Sequence, residues 1–322
     1  MTKFIVSRIG EALVALLIGS ILCFVFIRML PGTPAAAMYG DQIQKMSKAD
    51  QIRIADNLGL NDPLYTQYAK WFKSILQGEW GRSYSTGEEV NVIIAHAITP
   101  TLTLMLAAAA LTLVLSLLLG VITGLRRYSF FDYAVTVSSF VFMSLPSFWF
   151  ALMLMLFFSV YLGVLPTSEM GQGGVGDWLK HLVMPALVLS LSHIGYYIRL
   201  LRNNIAISQE KEFIWALRAR GISEKTILWK HLFPNASLPY LSYMGMSLSL
   251  TFAGSVVVET LFSWPGLGRL SLKSALAHDY PVLLATILLS MSIVIIGSLI
   301  IDLICAWIDP KMRQHLMKEG GR

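Results

Sequence analysis

Side chains able to do chemistry are sparse in this sequence, and their spacing limits what they can do. Of the six histidines, His181, His193 and His278 fall within apolar runs or toward their outer ends. None has a second ligand at a His-x-x-His or similar interval, as a transition-metal site requires, so each reads as a hydrogen-bonded structural residue. The two cysteines, Cys23 and Cys305, lie in opposite halves of the chain and support neither a disulfide framework nor a thiolate metal site. No Ser/His/Asp set and no paired carboxylates can be defended. The Gly-x-x-x-x-Gly-Lys-[Ser/Thr] phosphate loop does not occur. The fifteen methionines are scattered as flexible filler. Glu259 stands just past an apolar run; it is expected to anchor a loop through backbone N–H groups, with contact to a cationic substrate as the alternative.

The densest group of functional side chains is the stretch WALRARGISEKTILWKHLFPNASLP, residues 215–239, which carries Arg218, Arg220, Glu224, Lys225 and Lys230 between two oily segments. Its pattern predicts two short helices around Gly221. Phe213, Ile214, Trp215 and Leu217 give the first an apolar side, Gly221 can take the left-handed conformation that ends a helix, and Ser223 can cap the second. Glu224 suits the positive end of that second helix, and Pro234 and Pro239 mark the return toward the membrane. The result is a helix-turn-helix knob rimmed by Arg218, Arg220 and Lys225. The plainer alternative is a basic loop that only fixes topology.

The elements that must carry this knob follow from composition. The chain has 322 residues, 55% hydrophobic and 14% charged, against roughly 25% charged in a soluble domain. Uncharged runs at Ala97–Leu125, Tyr133–Ser168, His181–Ile198, His231–Val258 and Tyr280–Ile301, with Ile9–Ile27 at the start interrupted only by Glu11, are long enough to cross a bilayer at about 20 residues per span. The fold class is therefore all-α and polytopic, with six transmembrane helices. Most Lys and Arg residues fall on one side if both termini are cytoplasmic, so the net charge of +6 reads as topology. A nucleic-acid surface is the poorer reading, because no aromatic stacking platform accompanies the charge.

The organisation that follows is a cytoplasmic N-terminus and first helix (1–30), an extracytoplasmic insert (31–96), a five-helix core (97–308) with its cytoplasmic loop at 203–235, and a cytoplasmic tail (309–322). The first apolar run exceeds a typical signal h-region, so a retained helix is expected despite the small residues of MLPGTPAAAM. In the insert, Leu64, Tyr68, Trp71, Phe72, Ile75 and Leu76 recur at helical spacing and are expected to pack on the bundle. Pro146 should kink or break the third span, which is expected to cross once and end near Gly163. WPGLG reads as a rigid turn, with Pro265 fixing the chain and Gly266 and Gly268 allowing reversal. Asp279, before Tyr280 and Pro281, reads as the cap of the last span, and Asp302 is expected to snorkel or pair.

The quoted stretch also resembles a family signature. ABC importer permeases carry a cytoplasmic Glu-Ala-Ala, three residues, Gly, nine residues, Ile-x-Leu-Pro. Here Trp215, Ala216 and Leu217 occupy the first three positions, Gly221 the glycine, and His231, Leu232, Phe233 and Pro234 the last four. Ala216, Gly221 and Pro234 match in register; Trp215 stands where the signature has an acid. VVETLFSWPGLGRL, AHDYPV, IDP followed by KMR, RMLPGTPA, LGLNDPLYTQY and GRSYSTG look like the dipeptide/oligopeptide/nickel branch, so the similarity spans nearly the whole chain.

The resemblance implies a bacterial cytoplasmic-membrane subunit pairing with a second, homologous permease, two cytoplasmic ABC ATPases and an extracytoplasmic solute-binding protein. ATP and Mg would be used by the ATPases, with no cofactor on this chain. It implies that Phe213, Trp215, Ala216, Leu217, Arg218, Arg220, Gly221 and Pro234 form the coupling helix that docks on an ATPase. It also implies that Glu259, Trp264, Pro265, Gly266, Gly268, Asp279, Tyr280 and Pro281 have structural roles. Exchange of Gly221 for Asp or Val is then expected to uncouple ATP hydrolysis from uptake. Di- or oligopeptides rank first as cargo, with nickel or a metal chelate second, since NASLP, MGQGG and LSLKSALAHDYPV also resemble metal permeases. An integral membrane enzyme or channel would need an intramembrane catalytic set or a self-sufficient pore motif, and neither is visible.

Overall fold

A computed structural model describes residues 2–29, 61–246 and 248–308, with isolated positions between 47 and 59. The first half of the expected insert and the expected tail at 309–322 lie outside the described residues. The elements are helical throughout: α1 (Thr2–Met29), α2 (Leu64–Leu76), α3 (Val90–Leu125), α4 (Phe130–Ser144), α5 (Ser147–Leu154) running into a π-helical turn (Met155–Tyr161), and α6 (Val175–Gln209). There follow α7 (Glu212–Ala219), α8 (Glu224–Ile227), a second π turn (Leu228–Leu232), α9 (Phe233–Met246), α10 (Leu248–Leu261), α11 (Leu267–Leu276) and α12 (Tyr280–Ile308). Helices are the form in which an apolar segment satisfies its own backbone polar groups in lipid.

Among the described residues, four helices are long and apolar enough to cross a membrane: α1, α3, α6 and α12. The third apolar run is broken at Pro146, as its sequence suggested: α4 and the α5 segment meet at 105°, a geometry that fits one broken span or a re-entrant loop. The cause is local: Pro146 pushes Leu145 into extended backbone (φ −79°, ψ 130°), which ends α4, and Pro146 then precedes the first turn of α5. The fifth run holds α9 and α10, of 14 residues each, on either side of residue 247, which lies outside the described residues. The fourth run is longer than expected, since α6 continues from the membrane segment to Gln209 without a break.

The described residues form two compact units. One draws on the described residues within Met1–Ile9, Leu102–Trp264 and Val294–Arg322. Its core gathers Leu104, Ala108, Ala151, Leu182, Met184, Val188, Val258 and Phe262 around Trp264, which is fully buried. Gly120 and Gly124 of α3 let that helix approach α6 closely: a Cβ on Gly124 would stand 2.9 Å from the Ile205 Cβ and 3.1 Å from the Arg202 carbonyl oxygen. Asp302 pairs with Arg8 at 3.6 Å, as expected of a charge near a helix end.

The second unit comprises the described residues within Gly10–Thr101 and Pro265–Ile293. In it, Tyr68 and Trp71 of α2 pack on Phe24, Tyr280 and Leu283, and the Ser20 and Tyr68 hydroxyls lie 2.8 Å apart. The middle of the expected apolar face thus packs on protein, whereas Leu64 and Leu76 at its ends are exposed. Asp279 departs from its expected role. Its carboxylate accepts from the Ser83 hydroxyl and from the backbone N–H groups of Tyr84 (3.1 Å) and Ser85 (3.3 Å), tying the turn before α3 to the start of α12. The reach to a turn some 195 positions earlier in the chain uses both oxygens, so the side chain is committed away from its own helix.

Candidate functional site

Residues 212–234 fold as a hairpin with its own small core. Ile214 of α7, Ile227 of α8 and Leu232 are fully buried, with Leu217, Ile222 and Leu228 packed against them. Two local signals build it. Gly221 takes φ +76°, and its N–H donates to the Arg218 carbonyl (2.9 Å) while that of Ile222 donates to the Leu217 carbonyl (3.2 Å). These are the paired bonds of a Schellman C-cap, with Leu217 and Ile222 making the apolar contact that accompanies it. Ser223 then caps α8, its hydroxyl oxygen accepting from the Thr226 N–H.

The structure divides the expected site residues into two groups. Phe213 (41% exposed), Trp215 (63%), Ala216, Arg220, Lys225 and Pro234 face outward. Leu217 and Arg218 are corrections. Leu217 turns onto the hairpin core, because the Schellman geometry requires it opposite Ile222. Arg218 is no free steering charge: its Nε and Nη2 donate to Glu224 Oε1 (2.7 Å) and Oε2 (3.1 Å), and the guanidinium lies over the Trp215 ring at 5.8 Å. That bond holds the Glu224 carboxyl below its ordinary range and Arg218 above its own. Sequence reasoning also missed Trp229, 55% exposed and ring-packed on Phe233 at 5.2 Å. The pattern signal was there in the four-residue spacing of Trp229 and Phe233, which share a helical face.

The hairpin stands on a tied base. Arg202, seven residues before the end of α6, forms a bidentate pair with Asp132 of α4, Nε–Oδ1 2.6 Å and Nη2–Oδ2 2.5 Å. Arg127 meets Glu210 at 3.0 Å, and the Gln209 amide donates to the Gly124 carbonyl at 2.8 Å. Sequence reasoning assigned Arg127 and Arg202 to topology alone.

The remaining motif residues sit near the end of α10, in the turn that follows it, and at the starts of α11 and α12. Glu259 is fully buried in α10, and its backbone carbonyl accepts from the Trp264 N–H at 2.8 Å. The reversal at WPGLG does not use its glycines: Ser263 takes the left-handed φ of +53°, closing a second Schellman cap, whereas Gly266 is extended (φ −99°) and Gly268 lies inside α11. The Leu267 N–H, freed at the start of α11, donates to the Thr101 hydroxyl oxygen at 2.7 Å. Tyr280 is buried and Pro281 lies in the first turn of α12. Among the described residues, no group of three or more His, Cys, Asp or Glu side chains could hold a metal ion; His181 bonds the Asp177 carbonyl through Nδ1 at 2.8 Å.

Comparison with known proteins finds two family models. Residues 116–314 match the binding-protein-dependent transport system inner membrane component, and residues 1–105 match the N-terminal part of such membrane components. The chain is 37% identical over 317 residues to the oligopeptide transport system permease protein AppB of Bacillus subtilis (strain 168), covering 97% of this chain and 99% of that protein. It is 32% identical over 315 residues to the metal-staphylopine import system permease protein CntB of Staphylococcus aureus, covering 98% and 99%.

Proposed function

The chain belongs to the family of binding-protein-dependent transport inner-membrane components, the permease subunits of ABC importers, and from that premise we propose that it forms, with a second permease, the translocation path for di- or oligopeptides. A solute-binding protein delivers the cargo from outside, and two ATPases act from the cytoplasm. The broken α4–α5 segment and the α9–α10 pair each serve as one span, giving six, with both termini and the hairpin in the cytoplasm of a bacterial cell. The concentration of Lys and Arg in the segments this places inside supports that orientation.

One observation carries the coupling role: a hairpin with a separate core, capped by Gly221, presents Phe213, Trp215 and Trp229 outward at the end of a 35-residue helix. Exposed aromatics on a rigid mount are what an interface anchor needs. Arg220 and Lys225 are the charges left to orient the ATPase. Trp215, in place of the signature acid, makes the contact apolar and buttressed by Arg218. Alanine at Trp215 and Phe213 together is expected to reduce co-purification of the ATPases at least tenfold while the chain stays in the membrane; unchanged co-purification would refute the docking face.

The similarity to CntB supports a second cargo reading, a metal chelate. Uptake of radiolabelled di- and oligopeptides, and of nickel free or chelated, in a strain lacking this gene separates the two. A defect in peptide uptake alone is expected; no defect in any of them would exclude both.

A further inference from the structure

We propose that Asp132 and Arg202 are positioning residues for transport: their bidentate pair is the strut that carries displacement of the hairpin from α6 into the corner between α3 and α4. The inference rests on the reading that the hairpin meets an ATPase. It names the route by which that event would reach the membrane helices.

Asp132 is 1% exposed, and a buried carboxylate persists only when charge and hydrogen bonds compensate it. Here both oxygens are engaged. Arg202 forks onto them, and Oδ2 also accepts from the Tyr128 N–H at 2.9 Å. The Asp132 N–H in turn donates to Ser129 at 3.2 Å, which caps α4. Tyr128, at φ +66°, is in the left-handed region that a non-glycine residue rarely adopts, so this short turn is held by the carboxylate as much as by its own backbone. A guanidinium–carboxylate fork constrains orientation as well as distance. The first turn of α4 therefore cannot shift against α6 without exposing an unpaired buried charge.

α3 is tied to the same stretch. Gln209 bonds the Gly124 carbonyl, and Gly120 and Gly124 seat against Leu201 and Ile205, where a Cβ would come within 3.0 and 2.9 Å of the facing Cβ atoms. All these α6 partners lie between residues 201 and 209, and α7 begins at Glu212. A push on the hairpin arrives first at this end of α6 and is passed on by whichever contacts resist shear. The Arg127–Glu210 pair is solvent-exposed and is a weak link of the kind that contributes little. The buried fork is the stiff one.

The test uses the complete transporter in proteoliposomes with its binding protein, measuring solute imported per ATP hydrolysed and co-purification of the ATPases. Asp132→Asn and Arg202→Gln are expected to retain the ATPases and lose at least tenfold in solute per ATP. The exchange Asp132→Arg with Arg202→Asp is expected to recover part of the loss. ATPase retention with a wild-type ratio in both single variants overturns the strut alone; failure of the wild-type chain to bind ATPases overturns the hairpin reading instead. Should the variants assemble poorly, spin labels decide on an otherwise native chain with Cys23 and Cys305 replaced by serine. Labels at the exposed positions Tyr133 of α4 and Ile207 of α6 are expected to keep one sharp distance with and without ATP. A distance that shifts or broadens on ATP binding would overturn the proposal.

Discussion

Replacing Gly221 isolates one cause. The residue sits at φ +76°, and a Cβ built there meets nothing within 4 Å. Any loss on substitution is therefore conformational: about 1–2 kcal/mol for an L-residue forced into the left-handed region, less for Asn or Asp, which visit it more readily, and more for a β-branched residue. The hairpin core has three fully buried side chains, Ile214, Ile227 and Leu232, so a cost of this size is a large share of its stability. It lowers the folded-to-unfolded ratio of the hairpin by roughly 5- to 30-fold. Solute imported per ATP in proteoliposomes should then fall in the order Asn and Asp, Ala, Val, with membrane insertion unchanged. The structure thus separates Gly221→Asp, expected to be mild, from Gly221→Val, expected to be severe; residue type alone had placed them together. Val matching the wild-type ratio would refute the coupling role. Asn failing as badly as Val would refute the backbone argument, because it would mean that space, not φ, sets the requirement.

Three further outcomes can be checked. Asp279→Ala removes the acceptor for Ser83, Tyr84 and Ser85 and should destabilise that turn by on the order of 3 kcal/mol, read as new protease cleavage between residues 79 and 89. Glu224, whose carboxyl is held down by Arg218, contributes stability that is fully present above the ordinary glutamate value of about 4.3 and is lost as pH falls through its lowered value. Protease resistance of the hairpin should accordingly be flat from about pH 8 to pH 5 and decline below that, and Glu224→Gln should remove the acid-dependent part. Gly124→Val drives side-chain atoms into Ile205 and the Arg202 carbonyl and should cost about 1–3 kcal/mol, seen as a lower Tm in detergent.

Hydrophobicity and a handful of local signals were enough to place most of the helices. Leu64 to Leu76 announced α2 by its spacing, and Gly221 and Ser223 announced the hairpin by their capping chemistry. These features rest on interactions within a few residues, which residue order encodes directly. Wherever a feature depended on a partner far along the chain, residue order was silent. Ser263 and His278 carry left-handed φ of +53° each at helix ends, a conformation that glycine would have advertised and that Ser and His do not. Asp279 looked like a helix cap because caps are local, yet its carboxylate serves a turn nearly two hundred residues away. Arg202 looked like a topological charge because positive residues cluster inside whatever they touch; pairing with Asp132 required α4 and α6 to be brought together. Burying a charge is costly unless its partner is present, and only the tertiary structure determines where the partner stands.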